Sequence, residues 1–351
     1  MDTIRTYWER WRLGYWCIGA VSAALVALVL LLLSAYLLPS SWNGVRSVRD
    51  MLPFPVALVG GQSAGTYADA SENLLALRTF YESQDFSSVG LRVDFSTPEG
   101  RDRLRIRERE IVNKMVEDAA IRQLAAERGI ALSDTDALRA VLKEAESADG
   151  EAAARQNVVR LYGWDLETFA REIVLPDLYR SALDEAVMNE SDRFREAETR
   201  IGEAATMLAD GRSFSDVASE LSEGRTADAG GSMGWFAYDQ LIEPLQATAG
   251  TAEIGVPGTV IESDLGFHIL RINGRRTEGE QELVDVSQIF VRKETFGEWL
   301  TEEMKRMSIR VLAPEYVWDR DTATVEFRDE SLRALERELL ERSEGDASVM
   351  F

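Results

Sequence analysis

The chain has 351 residues, 61 acidic against 39 basic, and a formal net charge of −22. A surface of that sign repels nucleic-acid phosphates and sets a nucleic-acid-binding role aside. One cysteine, Cys17, and one histidine, His268, exclude an intrachain disulfide framework, cysteine zinc clusters, histidine-rich metal sites and any mechanism needing two histidines of one chain.

Residues 15–38 contain no charged residue and are dominated by Leu, Val and Ala. As a helix this stretch is about 36 Å long, enough to cross a hydrocarbon core of about 30 Å. It also exceeds the apolar core of a cleaved signal peptide, about 7–15 residues. The sequence therefore predicts an uncleaved transmembrane helix, with Tyr15, Trp16, Tyr36 and Trp42 at the interfaces. Arg5, Arg10 and Arg12 before it, against Arg46 and Arg49 after it, favour a cytoplasmic tail at 1–14 and a body outside the cell membrane. Residues 39–55, with Pro39, Gly44, Pro53 and Pro55, read as a linker.

Val56 to Gly60 is a short extended entry, and helical periodicity follows. Helices are predicted over 66–82, 99–128, 133–146 with Ser133 as N-cap, and 152–162. Another opens at Asp165 and runs to Val187 with a kink at Pro176. Their apolar stripes read as core. From Arg193 the texture changes: helices at 195–210 and 214–221, a glycine-rich turn region at 224–234, a helix at 240–249, and strands at 258–262, 266–272 and 283–291. A helix at 295–307, extended pieces at 309–312 and 324–327, and an acidic helix at 331–341 read as a solvated tail close the chain.

The ordered set Phe214-Ser-Asp-Val-Ala-Ser-Glu-Leu-Ser222, Gly230-Gly-Ser-Met-Gly-Trp-Phe236, Pro257-Gly-Thr-Val-Ile261 and Asp264-Leu-Gly-Phe-His-Ile-Leu270 resembles the parvulin (PpiC-domain) family of peptidyl-prolyl isomerases. An anchor, a linker and a helical region before such a module resemble the SurA, PpiD and PrsA type of extracytoplasmic foldases. The resemblance implies an α+β fold: the transmembrane helix, an all-α chaperone-like domain at 56–192, a parvulin-like domain at 193–292 with a four-stranded antiparallel sheet, and C-terminal segments at 293–351 that could pack on the helical domain.

The resemblance also implies a proline-ring pocket of Met233, Leu241 and Leu245, supported by Phe236 and Phe267. Ordinary core packing is the competing reading of all five. His268 falls on the family's last-strand histidine; the alternative is a core histidine held by a neighbouring hydroxyl. Two departures stand out. Gly224, next to Glu223, occupies the place of the family's polar Cys or Asp. The first strand, with its histidine, is missing before the module, whereas Val284-Asp-Val-Ser-Gln-Ile-Phe-Val291 resembles it with Gln288 at the histidine's place. A circularly permuted module, with 283–291 beside 266–272, accounts for both.

No metal or cofactor is implied. The candidate polar residues are His268, Gln288 and Glu223. Three readings stand: a membrane-anchored foldase or holdase for unfolded or proline-containing exported polypeptides, with weak or absent isomerase activity; an active isomerase; and a docking factor for a membrane partner. Oligomeric state and client identity are open.

Overall fold

Capping signals become helix ends in the computed structural model, which describes residues 26, 29, 30, 33, 36, 37, 47–49, 51–84, 94–190, 192–279 and 281–342. Strand β1 (Pro55–Val59) turns back on β2 (Gln62–Thr66) through Gly60 and Gly61, whose φ angles of 58° and 85° suit a tight hairpin turn. Thr66 then caps α1 (Tyr67–Ser83): its hydroxyl accepts from the Asp69 amide while the Asp69 carboxylate accepts from the Thr66 amide. Helix α2 (Pro98–Glu127) starts on Thr97 with proline at its first position. Ser133 and Asp136 repeat the reciprocal cap on α3 (Asp134–Ser147), and α4 (Glu151–Tyr162) stops at left-handed Gly163.

Helix α5 (Leu166–Phe169) runs through a π-helical turn at Ala170–Val174 into α6 (Leu175–Glu190). The kink expected at Pro176 is thus a register change one turn earlier, where the proline's missing N–H and its ring disturb the ladder. Trp164, Leu166, Val158 and Ala76 form the local core, with Phe80, Tyr162 and Trp164 stacked at centroid distances of 5.5 and 5.9 Å.

The chain divides into two units, residues 1–183 with 301–351, and residues 184–300. In the second unit α7 (Asp192–Ala209) and α8 (Phe214–Leu221) precede β3 (Ser232–Ala237), α9 (Glu243–Thr251), β4 (Pro257–Ser263), β5 (Gly266–Glu278) and β6 (Gln281–Arg292). The strands form one antiparallel sheet in the order β3-β6-β5-β4, with Ile269 opposite Ile289 at its centre. Alternation along the strands separates two cores. Phe267, Ile269, Ile289 and Val291 meet Ala197, Ile201, Phe214 and Val217 of α7 and α8. Leu270, Ile272, Val284 and Val286 meet Leu241, Leu245 and Ala249 on the other face.

Helix α10 (Phe296–Arg306) leads to the last part of the first unit, where β7 (Ile309–Val311) pairs with β1, Ile309 opposite Val59. A hairpin of β8 (Tyr316–Asp319) and β9 (Thr324–Phe327) and helix α11 (Glu330–Arg342) follow. This unit is therefore not all helical: three strands, β2-β1-β7, make a sheet from sequence-distant pieces. The acidic α11 is not a free tail either. Its Glu336 accepts from Arg109 of α2 at 2.5 Å, and Arg109 also donates to the Val325 carbonyl at 2.9 Å.

The expected transmembrane helix does not stand. No helix among the described residues is long and apolar enough to cross a membrane. The longest, α2, has 30 residues but carries charged side chains along its whole length, incompatible with a lipid-exposed span. The fold class is α+β without that element, and the single-pass placement with a cytoplasmic N-terminus and lipid contact through 15–38 falls with it. Most of 15–38, and the tail at 1–14, lie outside the described residues.

Gly231 fixes one junction of the sheet. Its φ is +80°, and a Cβ there would sit 2.5 Å from the Gln288 carbonyl oxygen and 3.1 Å from Ala218 Cβ. Gly231→Ala is expected to cost about 2–3 kcal/mol, and Gly211→Ala, at φ +87° with no atom within 4 Å, about 1 kcal/mol. Hydrogen-exchange protection of the β6 amides in the two variants measures the difference.

Candidate functional site

His268 is the third residue of β5, just after the β4–β5 turn, and is only 3% exposed. Its partners come from the strands on either side. Ser263, at the end of β4, places Oγ 2.7 Å from Nε2. Gln288, on β6 diagonal to the histidine, donates its side-chain N–H to Nδ1. With Nδ1 accepting, the ring proton belongs on Nε2 and points at the serine. Ser263 Oγ in turn accepts from the Leu265 amide at 3.2 Å and donates to the Gly266 carbonyl at 3.3 Å. The Phe290 ring lies 4.9 Å from the imidazole. Burial lowers the imidazole from its ordinary 6.5 to about 4, so it is neutral at pH 7.

The apolar candidates separate. Met233 and Phe236 of β3, Leu241 and Leu245 belong to one cluster with Leu270, Ile272, Val284 and Val286, on the same sheet face as His268 and Gln288 by the alternation. Leu241 and Leu245 are buried there; Met233 and Phe236 are half-buried. Phe267 lies on the opposite face, packed in the α7–α8 core with its ring 5.4 Å from Phe194.

Glu223 does not join His268. Its amide donates to the Phe290 carbonyl at 2.7 Å. Its carboxylate accepts from Arg200 of α7 at 2.6 Å and from the Arg292 amide at 2.8 Å. It lines a charged cleft of about 330 Å³ with Glu196, Arg200, Arg292 and Lys293. Gly224 has the opposite aspect: a Cβ there would lie 3.6 Å from Phe290 Cβ, toward the histidine's neighbour. A polar side chain at 224 would start near the site, and glycine supplies none.

Sequence reasoning missed Ser263 and Phe290 by name. The signal for Ser263 was present. A two-residue turn at Asp264 and Leu265 sets Ser263 opposite Gly266 and brings its hydroxyl within reach of a residue two positions further along β5. Among the described residues no cluster of His, Cys, Asp and Glu is suited to hold a metal ion.

Residues 170–276 match the PPIC-type PPIASE domain. The second unit carries a parvulin-type module. A chaperone SurA of Nitrosococcus oceani is 25% identical over 220 residues, 52% of this chain and 52% of its own. One of Hydrogenovibrio crunogenus is 38% identical over 71 residues, 20% of this chain and 16% of its own, and one of Escherichia coli is 28% identical over 127 residues, 36% and 29%. The chain thus spans about half or less of the length of these curated relatives. The matched domain ends before β6 begins.

His268 is the single histidine of the chain, so its resonances need no assignment. A titration by nuclear magnetic resonance is expected to give a midpoint near 4 with the proton on Nε2 at neutral pH. Because the folded value lies below the unfolded one, the unfolded chain takes up this proton first as pH falls. Between about 6.5 and 4 this removes up to roughly 3 kcal/mol of stability, and nothing is lost from this group above that window. His268→Gln should narrow its stability gap to the parent across the same window. A midpoint near 6.5 would contradict the buried network.

Proposed function

We propose that the chain is a parvulin-type foldase that binds unfolded polypeptides, proline-containing segments among them, through a module whose isomerase activity is weak or lost. The observation that carries this is the closed hydrogen bonding of His268. Prolyl isomerisation lowers a barrier of about 18–20 kcal/mol by accommodating a twisted amide better than a planar one. A neutral imidazole with both nitrogens already bonded to Gln288 and Ser263 offers nothing new to that amide. Gly224 adds no polar group, and Glu223 is held by Arg200 and the Arg292 amide.

We also infer that the module is circularly permuted. Strand β6 follows the matched residues, yet it sits between β3 and β5. There it takes the place of the family's first strand, with Gln288 where that strand carries its histidine. The Ile269–Ile289 register and the Gln288–His268 contact support this reading.

A second reading, a working isomerase, is favoured by one feature: His268, Gln288, Met233 and Phe236 share a sheet face. The assay uses the full chain on a proline tetrapeptide, beside His268→Ala and Gln288→Ala, and in parallel on light scattering from a chemically unfolded client. Expected are turnover within about tenfold of the variants, below the factor a working general acid–base or polar group supplies, and suppressed aggregation. Turnover about a hundredfold above His268→Ala would make the module an enzyme. No effect on client aggregation would remove the foldase reading.

A further inference from the structure

The sheet of the second unit ends in a strand that pairs with no further strand among the described residues. Strand β4 is the last in the order β3-β6-β5-β4. Backbone pairing shows which of its groups face outward. The Gln288 amide donates to the Gly231 carbonyl, and the Phe290 carbonyl accepts from the Glu223 amide, so the even positions of β6 point away from β5. Its odd positions then pair with Phe267 and Ile269, which leaves His268 and Gly266 pointing at β4, opposite Ile261 and Ser263. The amides and carbonyls of Val260 and Glu262 therefore point outward, away from the sheet.

Natural edge strands are guarded by lysines, prolines, bulges or covering elements. Here Pro257 and a bulge between Pro257 and Val260 guard only the start of β4, and the strand contains no lysine or arginine. Large apolar side chains are exposed along its length: Ile254 and Val256 before it, Val260 within it and Leu265 in the turn after it. The charged residues of 253–265 are Glu253, Glu262 and Asp264, all acidic. Lys293 neutralises Glu262 at 2.6 Å. Two copies meeting edge to edge would set these acids against each other in a chain of net charge −22. An extended apolar segment carrying lysine or arginine has the complementary charge.

Resting on the polypeptide-binding reading above, we propose that the β4 edge is the docking site: an extended, apolar, basic segment of an unfolded chain adds as a further strand beside Val260–Ser263. Main-chain hydrogen bonds to Val260 and Glu262 make the binding tolerant of sequence, and contacts with Ile254, Val256, Val260 and Leu265 select apolar residues. This site is separate from the sheet face that carries His268.

The test uses the full chain and a fluorescent seven-residue peptide alternating valine and lysine, read by anisotropy. Val260→Pro removes an outward amide and no ladder bond, so the sheet should persist by circular dichroism. Affinity is expected to fall about tenfold or more, the worth of one or two main-chain hydrogen bonds. Thr277→Ala, exposed at the far end of the β5–β6 ladder, should leave it within about twofold, the scatter expected for a residue away from the contact. On the unaltered protein, a peptide N-methylated at alternate residues should fail to bind, and a glutamate–valine counterpart should bind more weakly. The proposal is overturned if the parent does not bind the valine–lysine peptide, or if the N-methylated peptide binds as well as the parent peptide, a result that does not depend on any variant folding. A dimer in sedimentation that Val260→Pro dissociates would overturn it in favour of a second copy. Aggregation suppression that persists when the peptide results are negative would remove the β4 site and leave the foldase reading standing. Loss of both removes both.

Discussion

The pairing of β5 with β6 decides most of what the second unit can do. It is a long antiparallel ladder, from Gly266 opposite Arg292 to Glu278 opposite Gln281, and it lies at the centre of its sheet. Its register sends Ile269 and Ile289 to the helices α7 and α8, and Leu270 and Val286 to α9. A slip of one residue would exchange the two faces of one strand and set its apolar side chains against the wrong helices. The same register sets Gln288 diagonal to His268, close enough to bond Nδ1. It also leaves β3 and β4 as the edges.

Much of the second unit was legible because its signals are local. Helix 214–221 keeps its expected bounds, strands β4 and β5 flank a two-residue turn at Asp264 and Leu265, and Val284–Val291 is rich in β-branched residues. The pairing of 283–291 with β5 follows from a hairpin, and Ile289 stands opposite Ile269. What was not legible depends on position in space. Glu223 sits beside the right glycine in sequence, but an antiparallel contact with Phe290 turns its carboxylate to Arg200. Phe267 differs from His268 by one residue, and the period of two sends it to the other core.

The first unit was less legible for a similar reason. Gln62–Thr66 has the composition of a loop, and it becomes a strand because Gly60 and Gly61 fold it onto β1. The third strand of that sheet arrives from Ile309, some 250 residues later. No window of sequence contains that pairing. The acidic α11 read as a solvated tail from charge alone, whereas Arg109 lies within α2 and meets Glu336 only in the fold. A charge run predicts a solvated face when its counter-charges are absent, and here one of them lies far away in the chain.

The hydrogen bonding of His268 bears on the proposed difference between holding a chain and turning one over. A catalytic polar group must gain an interaction as the amide twists that it lacks before. At His268 each ring nitrogen already has a partner, and Ser263 is itself bonded to the 265–266 backbone. To serve a substrate, the ring would have to surrender a bond worth about 1 kcal/mol and leave a buried polar atom unmatched at a further cost of about 1–3 kcal/mol. Protonation would create a donor at Nδ1, but burial places that event near pH 4. The same closed network stabilises the middle of the sheet by satisfying every polar atom of the ring. A closed network and a free polar group exclude each other at this position: the bond by which Gln288 secures β5 to β6 is the one that occupies Nδ1.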